Sequence, residues 1–255
     1  MSSELTVGYR AVDGLRIRYA DSDGPASPHL VLTSPWPGSL HAFDPIWPRL
    51  SGIARLLAID LPGFGRSERR ADLLSPMAMS RFLVRILQEW DLPDPHLICP
   101  GLGTPAALFA AAGHPGRIRS LVIGGGAAAW PPQAGRTLEE MIDAPDGGAA
   151  RPQDRAAEAA RYLRSYLRSY PGELPLLAGL LPQVFTPVQI IAGRNDPVVP
   201  VADAEFLHAR LPNSRLDVLG TGHLACEEAP GRYAAIINAW INGGYLTGNT
   251  GMGRT

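Results

Sequence analysis

Three short loops in this chain carry residue types that can move protons. Gly220-Thr221-Gly222-His223 places an imidazole behind a glycine-flanked turn. Ile191-Ala192-Gly193-Arg194-Asn195-Asp196-Pro197 ends an apolar run on a carboxylate. Histidine titrates near neutral pH and can act as general acid or base. A carboxylate on its other nitrogen would set the tautomer and stabilise the charged ring. His223 and Asp196 are therefore the candidate catalytic pair. The competing readings are a surface-loop histidine and an aspartate capping the turn before Pro197. The third loop, Cys99-Pro100-Gly101-Leu102-Gly103, has a glycine at its centre. Glycine offers no nucleophile, but it tolerates the backbone of a sharp turn.

These loops need a scaffold, and the hydrophobic pattern supplies one. Residues 6–12 and 15–20 alternate around Asp13-Gly14, which predicts a β-hairpin. Short apolar runs at 29–33, 54–60, 96–99, 118–123, 188–192 and 214–219 read as buried strands. Between them lie helical patterns: one opened by Ser75-Pro76 as N-cap and first helical residue, then 104–112, 201–210 and 231–240. Strand–helix alternation predicts a mostly parallel, twisted α/β sheet with helices on both faces. The rhythm breaks between about Gly124 and Thr186. There Ala159, Tyr162, Leu163, Tyr166, Leu167 and Tyr170 form one helical stripe, away from Arg161, Arg164 and Arg168. Gly124-Gly125-Gly126 would give the chain room to turn into this segment. The tail from Asn242 is Gly-rich and reads as loose.

The three loops, in this order and on these strands, together with Leu61-Pro62-Gly63-Phe64-Gly65-Arg66-Ser67, resemble the α/β-hydrolase superfamily over nearly the whole chain. The pattern is most similar to the epoxide-hydrolase and haloalkane-dehalogenase-like branch, with a helical cap after the sixth strand. The resemblance implies a core of residues 1–126 and 186–245, a short cap at 127–185 and a flexible tail at 246–255. It also implies that the nucleophile position of the strand-to-helix elbow is Gly101. The departure is not confined to one position. Where the family carries His-Gly after the third strand, this chain has Ser34-Pro35, and Cys99 and Pro100 are also unusual. A single knock-out substitution would not change all of these. The positions matching the backbone oxyanion donors are Trp36 and Leu102, neither of them proline. A helix starting near Thr104 would aim its positive end at the same spot. Trp36, His41, Phe43, Trp130, Tyr162 and Tyr166 are the candidate pocket residues; Asp44 could also reach the pocket, and Trp47 could line an apolar cavity. The bland reading of the aromatic ones is core packing. Cys99 reads as a buried strand-end thiol, Thr104 as a helix cap and Asp60 as the anchor of the turn that follows it.

Composition narrows the classes of function. The 255 residues fit one α/β domain with a small insertion. Lys and Arg total 23 against 24 Asp and Glu, so nothing favours nucleic acid or an anionic membrane. Two cysteines make neither a disulfide framework nor a zinc pattern. No leader-like start is visible, so the expectation is a cytoplasmic protein, monomer or homodimer, without cofactor or metal. Abundant Ala, Gly, Pro and Arg suggest a GC-rich bacterial genome. The expected function is a non-hydrolytic enzyme, a cyclase, isomerase or lyase, acting on a small, largely apolar metabolite of specialised, natural-product biosynthesis. Two alternatives stand beside it. One is an ester, lactone or epoxide hydrolase in which His223 activates water. The other is a catalytically inactive small-molecule binding protein.

Overall fold

The computed structural model describes residues 5–25, 27–36, 38–131, 140–141, 143 and 155–247. β1 (Val7–Val12) and β2 (Leu15–Asp21) form the expected hairpin, turning at Asp13 and Gly14 with φ of +49° and +78°. Positive φ at both positions is the turn geometry that matches the twist of paired strands. The remaining strands are β3 (His29–Thr33), β4 (Arg55–Ile59), β5 (His96–Pro100), β6 (Ser120–Gly124), β7 (Val188–Gly193) and β8 (Ser214–Leu219). They join one eight-stranded sheet in the order β1-β2-β4-β3-β5-β6-β7-β8. β1–β2 and β2–β4 pair antiparallel, and every other pair is parallel.

Both faces of the parallel strands are apolar because both are covered. Side chains alternate across the pleat. Leu30, Leu32, Leu56, Ala58, Ile98 and Val122 enter one core, while Val31, Leu57, Ile59, Leu97, Leu121 and Ile123 enter the other. The first core lies under α1 (Trp47–Leu50), α7 (Ala225–Glu228) and α8 (Pro230–Ile241). The second lies under α2 (Pro76–Glu89), α3 (Gly103–Gly113) and α6 (Val201–Arg210). Ser75 caps α2 as expected, its Oγ accepting from the Ala78 amide at 3.2 Å.

Between β6 and β7 the expected single stripe is two helices, α4 (Arg155–Leu167) and α5 (Tyr170–Leu180). Pro171 has no N–H to bond back to the preceding turn, so the helix ends and restarts. Residues 132–139, 142 and 144–154 of the expected cap, and 248–255 of the expected tail, lie outside the described residues. A short 3-10 turn spans Gly244–Thr247, and the Tyr245 ring packs edge-on against His96 and Trp240.

The strand order places the site. Going from β3 the chain moves outward to β4, then returns across β3 to β5. Loops that leave adjacent strands in opposite directions open a crevice at the strands' carboxyl ends. The loop after β3 carries Trp36, and the loop after β5 carries Gly101. The loops after β6, β7 and β8 leave from the same end.

Candidate active site

Asp196 sits in the turn after β7, its side chain 1% exposed. One carboxylate oxygen accepts the amides of Val198 (2.8 Å) and Val199 (2.9 Å). The other accepts Nδ1–H of His223 at 2.8 Å. Two fixed amides and one imidazole leave the carboxylate little freedom. The bond also assigns the ring: Nδ1 carries the proton toward Asp196, and Nε2 is the nitrogen left for chemistry. The two residues are 27 apart in sequence, and adjacent strand ends bring them together.

The β5–α3 turn is pinned from three sides. The Gly101 amide donates to the Gly124 carbonyl at 2.8 Å, and Thr104 N donates to the Gly101 carbonyl at 3.0 Å. The Thr104 hydroxyl donates to the Cys99 carbonyl at 2.9 Å, while Gly124 N donates to its oxygen at 3.3 Å. Thr104 is therefore a tie between two strand ends, not the helix cap expected from sequence. α3 starts one residue earlier, at Gly103, with no side-chain cap. Gly101 has φ +62°, in the left-handed region where glycine is favoured. A Cβ placed on it would meet nothing closer than 3.8 Å, the nearest atoms belonging to Pro35 and the Trp36 amide nitrogen. The turn thus lies against the β3 loop, with room for a Cβ at ordinary contact distance. Among the described residues neither the Trp36 nor the Leu102 amide has a hydrogen-bond acceptor.

Two small cavities meet at this turn, and both are lined by Gly101, Gly125 and His223. One, about 30 Å³, lies toward α4 and α5 and is mostly apolar, with Trp36, Leu102, Leu163, Leu167, Val198 and Val199 among its walls. The other, about 20 Å³, lies toward α7 and α8 and includes Pro35, Pro100, Gly193, Cys226 and Tyr233.

Of the expected pocket residues, Trp36 lines the apolar cavity. The others line neither cavity. Phe43 is fully buried in the core beneath α1 and α8. His41 is half exposed, with Nδ1 facing Asp44 (3.1 Å) and Nε2 facing Arg18 (2.7 Å). Trp130 packs on the opposite core from Phe43. Tyr162 lies edge-on to Phe64 and donates its hydroxyl to the Arg70 carbonyl at 3.4 Å. Tyr166 packs between Phe64 and Tyr170, its hydroxyl at 3.5 Å from the Leu102 carbonyl. These tyrosines attach α4 to the core. Leu163 and Leu167, one position further around the same helix, face the cavity instead. The stripe lies on the helix that borders the cavity, and the rotation of that helix decides which of its residues face it. Val198, Val199, Cys226 and Tyr233 gave no sequence signal beyond lying close behind Asp196 and His223.

Cys99 is fully buried, and desolvation pushes its thiol up to about 12. The thiolate is the nucleophilic form, so burial leaves this sulfur inert. Asp60 is also fully buried and accepts from the amides of Leu40 (2.7 Å) and Arg66 (3.0 Å) and from Arg18 (3.3 Å). It fastens the turn after β4 to the loop after β3, and so steadies the segment that carries Trp36. Among the described residues no group of three His, Cys, Asp or Glu could hold a metal ion. Nor is any described helix long and apolar enough to cross a membrane.

Comparison with known proteins agrees with this architecture. A family model described as alpha/beta hydrolase fold matches residues 28–149. An uncharacterized hydrolase, YugF, of Bacillus subtilis is 28% identical over 86% of this chain and 92% of its own length. A pimeloyl-[acyl-carrier protein] methyl ester esterase of Neisseria meningitidis is 26% identical over 84% of this chain and 93% of its own. Among solved structures, a putative lipase from Acinetobacter baumannii superposes with a TM-score of 0.80 at 18% identity, covering 96% of this chain and 93% of its own. A haloalkane dehalogenase from Agrobacterium tumefaciens gives 0.75 at 17% identity, covering 93% and 96%. Lipase and dehalogenase match about equally well, so the likeness singles out no branch. The chain has the α/β-hydrolase fold.

Proposed function

We propose that this protein is an enzyme of the α/β-hydrolase superfamily that works by proton transfer, without a side-chain nucleophile. His223 is the acid–base residue and Asp196 its orienting partner. Gly101 stands where the fold usually presents the attacking group. The Trp36 and Leu102 amides are the donors for an oxyanion or enolate. Residues 1–126 and 186–245 form the catalytic core in this reading, and 127–185 the cap. The observation that carries it is the imidazole held at 2.8 Å by a buried, doubly anchored carboxylate, beside a turn whose central residue has no side chain. A base next to amide donors can remove a proton and stabilise the resulting anion. Each such donor is worth about 3 kcal/mol in a transition state. Without a nucleophile no acyl- or alkyl-enzyme forms, which leaves cyclisation, isomerisation or elimination on a small, largely apolar molecule. The apolar lining of the cavity under α4 and α5 supports that substrate class.

A second reading is favoured by the relatives, which are named as hydrolases and esterases. In it His223 activates water directly against an ester, lactone or epoxide. One experiment separates the two. Purified protein is incubated with metabolite extract in H₂¹⁸O, and products are followed by high-resolution mass spectrometry. Proton-transfer chemistry gives a product of unchanged mass, or one lighter by water or carbon dioxide, with no label. Hydrolysis gives a labelled product heavier by one water. In either case His223→Ala should abolish turnover while keeping the fold, and full turnover by that variant would remove His223 from the mechanism.

A further inference from the structure

The cavity on the α7–α8 side of His223 has a polar group that the chemistry above does not use. Tyr233, on α8, is 3% exposed, and its ring packs in the core with Ile191 and Cys226. It lines the cavity together with Gly101 and His223, yet its hydroxyl makes no hydrogen bond with any described residue. A hydroxyl at a cavity wall with no protein partner leaves its donor and its acceptor sites to whatever occupies the cavity, so the phenol points to a ligand. The cavity volume, about 20 Å³, limits that ligand. One water needs about 10–15 Å³ and two to four polar partners.

We propose that this cavity is a single-water site, with Tyr233 as the positioning residue, and that its water is the partner through which the His223 imidazole exchanges its proton. The inference rests on the acid–base reading of His223. Nδ1 is committed to Asp196, so the exchange runs through Nε2. The imidazolium loses its Nε2 proton to the water oxygen, and the hydronium so formed passes a proton on to solvent. The reverse step restores the acid. Burial holds Tyr233 well above its ordinary value and Cys226 up to about 12, so both stay neutral at working pH. The walls therefore suit a neutral, two-way hydrogen-bonding molecule rather than an ion. Tyr233 can donate to the water oxygen, which leaves the water's hydrogens for Nε2 and the Cys226 sulfur. Gly101 borders both cavities, so the water would stand just behind the reacting centre.

The test needs no substrate. Atomic-resolution crystal structures of the parent protein, Tyr233→Phe and Cys226→Ser are compared, and His223 is titrated in each by NMR of ¹⁵N-labelled imidazoles. Phenylalanine keeps the buried ring and removes only the hydroxyl, and a thermal melt confirms that the variant folds. The parent and Cys226→Ser should show one ordered water within hydrogen-bond reach of the residue 233 hydroxyl and His223 Nε2. Tyr233→Phe should lose it, and its His223 titration midpoint should move by at least half a pH unit. An empty cavity in the parent overturns the proposal, as does a water that persists in Tyr233→Phe. A water lost with no movement of the titration overturns its coupling to His223. These results are independent of the turnover of His223→Ala, so the water site and the acid–base reading can fail separately.

Discussion

Asp196 divides its two oxygens between the backbone and the imidazole. The amides of Val198 and Val199 fix one oxygen, and the other receives Nδ1–H. Asp196→Asn keeps the size and the amide contacts. Its side-chain nitrogen, however, cannot accept from Nδ1–H, so the ring is driven to the wrong tautomer. By analogy with triads, turnover should fall by about 10⁴-fold with little change in melting temperature. A fall under tenfold would mean that the tautomer is not what Asp196 supplies. Gly101 allows a complementary test. An added Cβ there would meet nothing closer than 3.8 Å, and the left-handed backbone costs a non-glycine residue about 1–3 kcal/mol. Gly101→Ser should therefore fold and place a hydroxyl near His223 and the Trp36 amide. A fluorophosphonate probe should then modify the variant at position 101 and leave the parent protein unmodified. Labelling of the parent would reveal a nucleophile that the site reading lacks. An unlabelled but folded variant would show that more than the hydroxyl is missing from the elbow.

α4 reaches the core through the turn after β4. Gly63, at φ +81°, lies so close to Tyr162 that an added Cβ would fall 2.1 Å from the ring. Gly63→Ala combines that overlap with a disfavoured backbone. Together these should destabilise the protein by about 2–4 kcal/mol in urea unfolding. They should also disturb the apolar cavity, since Leu163 and Leu167 turn with Tyr162. A loss below 1 kcal/mol would mean that α4 is not fastened there. The docking also shows where sequence reading succeeds and where it stops. Strands were legible because a parallel strand buried on both faces is a short apolar run, and Leu30–Thr33 or Ile190–Ala192 can be little else. The meeting of His223 with Asp196 was legible because their loops carry glycines and a proline in a fixed order. The choice between Tyr162 and Leu163 was not. Both lie on the buried stripe, and only the rotation of α4 against Phe64 and Gly63 decides which faces the cavity. Phe43 and His41 lie away from both cavities for a related reason. They follow the Trp36 loop closely in sequence, but the 3-10 turn at Leu40–Phe43 directs Phe43 into the core and His41 toward Arg18. Tyr233 is invisible because nothing in α8 distinguishes a tyrosine that packs from one that also lines a cavity.

Across the whole molecule the two ends of the sheet carry different loads. The carboxyl ends of the strands hold the open turns and cavities. Near the opposite end, where β5 and β6 begin, a closed polar cluster lies inside the fold. Ser120 Oγ accepts from the Trp240 indole at 2.8 Å and lies 2.7 Å from His96 Nδ1. The indole can only donate, so the serine proton is free to go to Nδ1, which requires a neutral imidazole. Burial, reinforced by Arg119, lowers the His96 pKa to about 4 from 6.5. The folded value lies below the unfolded one, so between these pH values the unfolded chain binds more protons. The stabilisation is complete above pH 6.5, is lost as pH falls toward 4, and changes little below that. A tenfold difference in proton affinity between the folded and unfolded chain corresponds to about 1.4 kcal/mol, so the loss at pH 4.5 should be roughly 2–3 kcal/mol. His96→Gln removes the titration and is less stable at pH 7 because it packs less well against Tyr245. Carboxylates titrate equally in both proteins and cancel in the difference. Urea unfolding of the pair from pH 7.5 to 4.5 should therefore show the parent's advantage shrinking by that amount, and curves that stay parallel would mean that His96 is not held neutral by the fold.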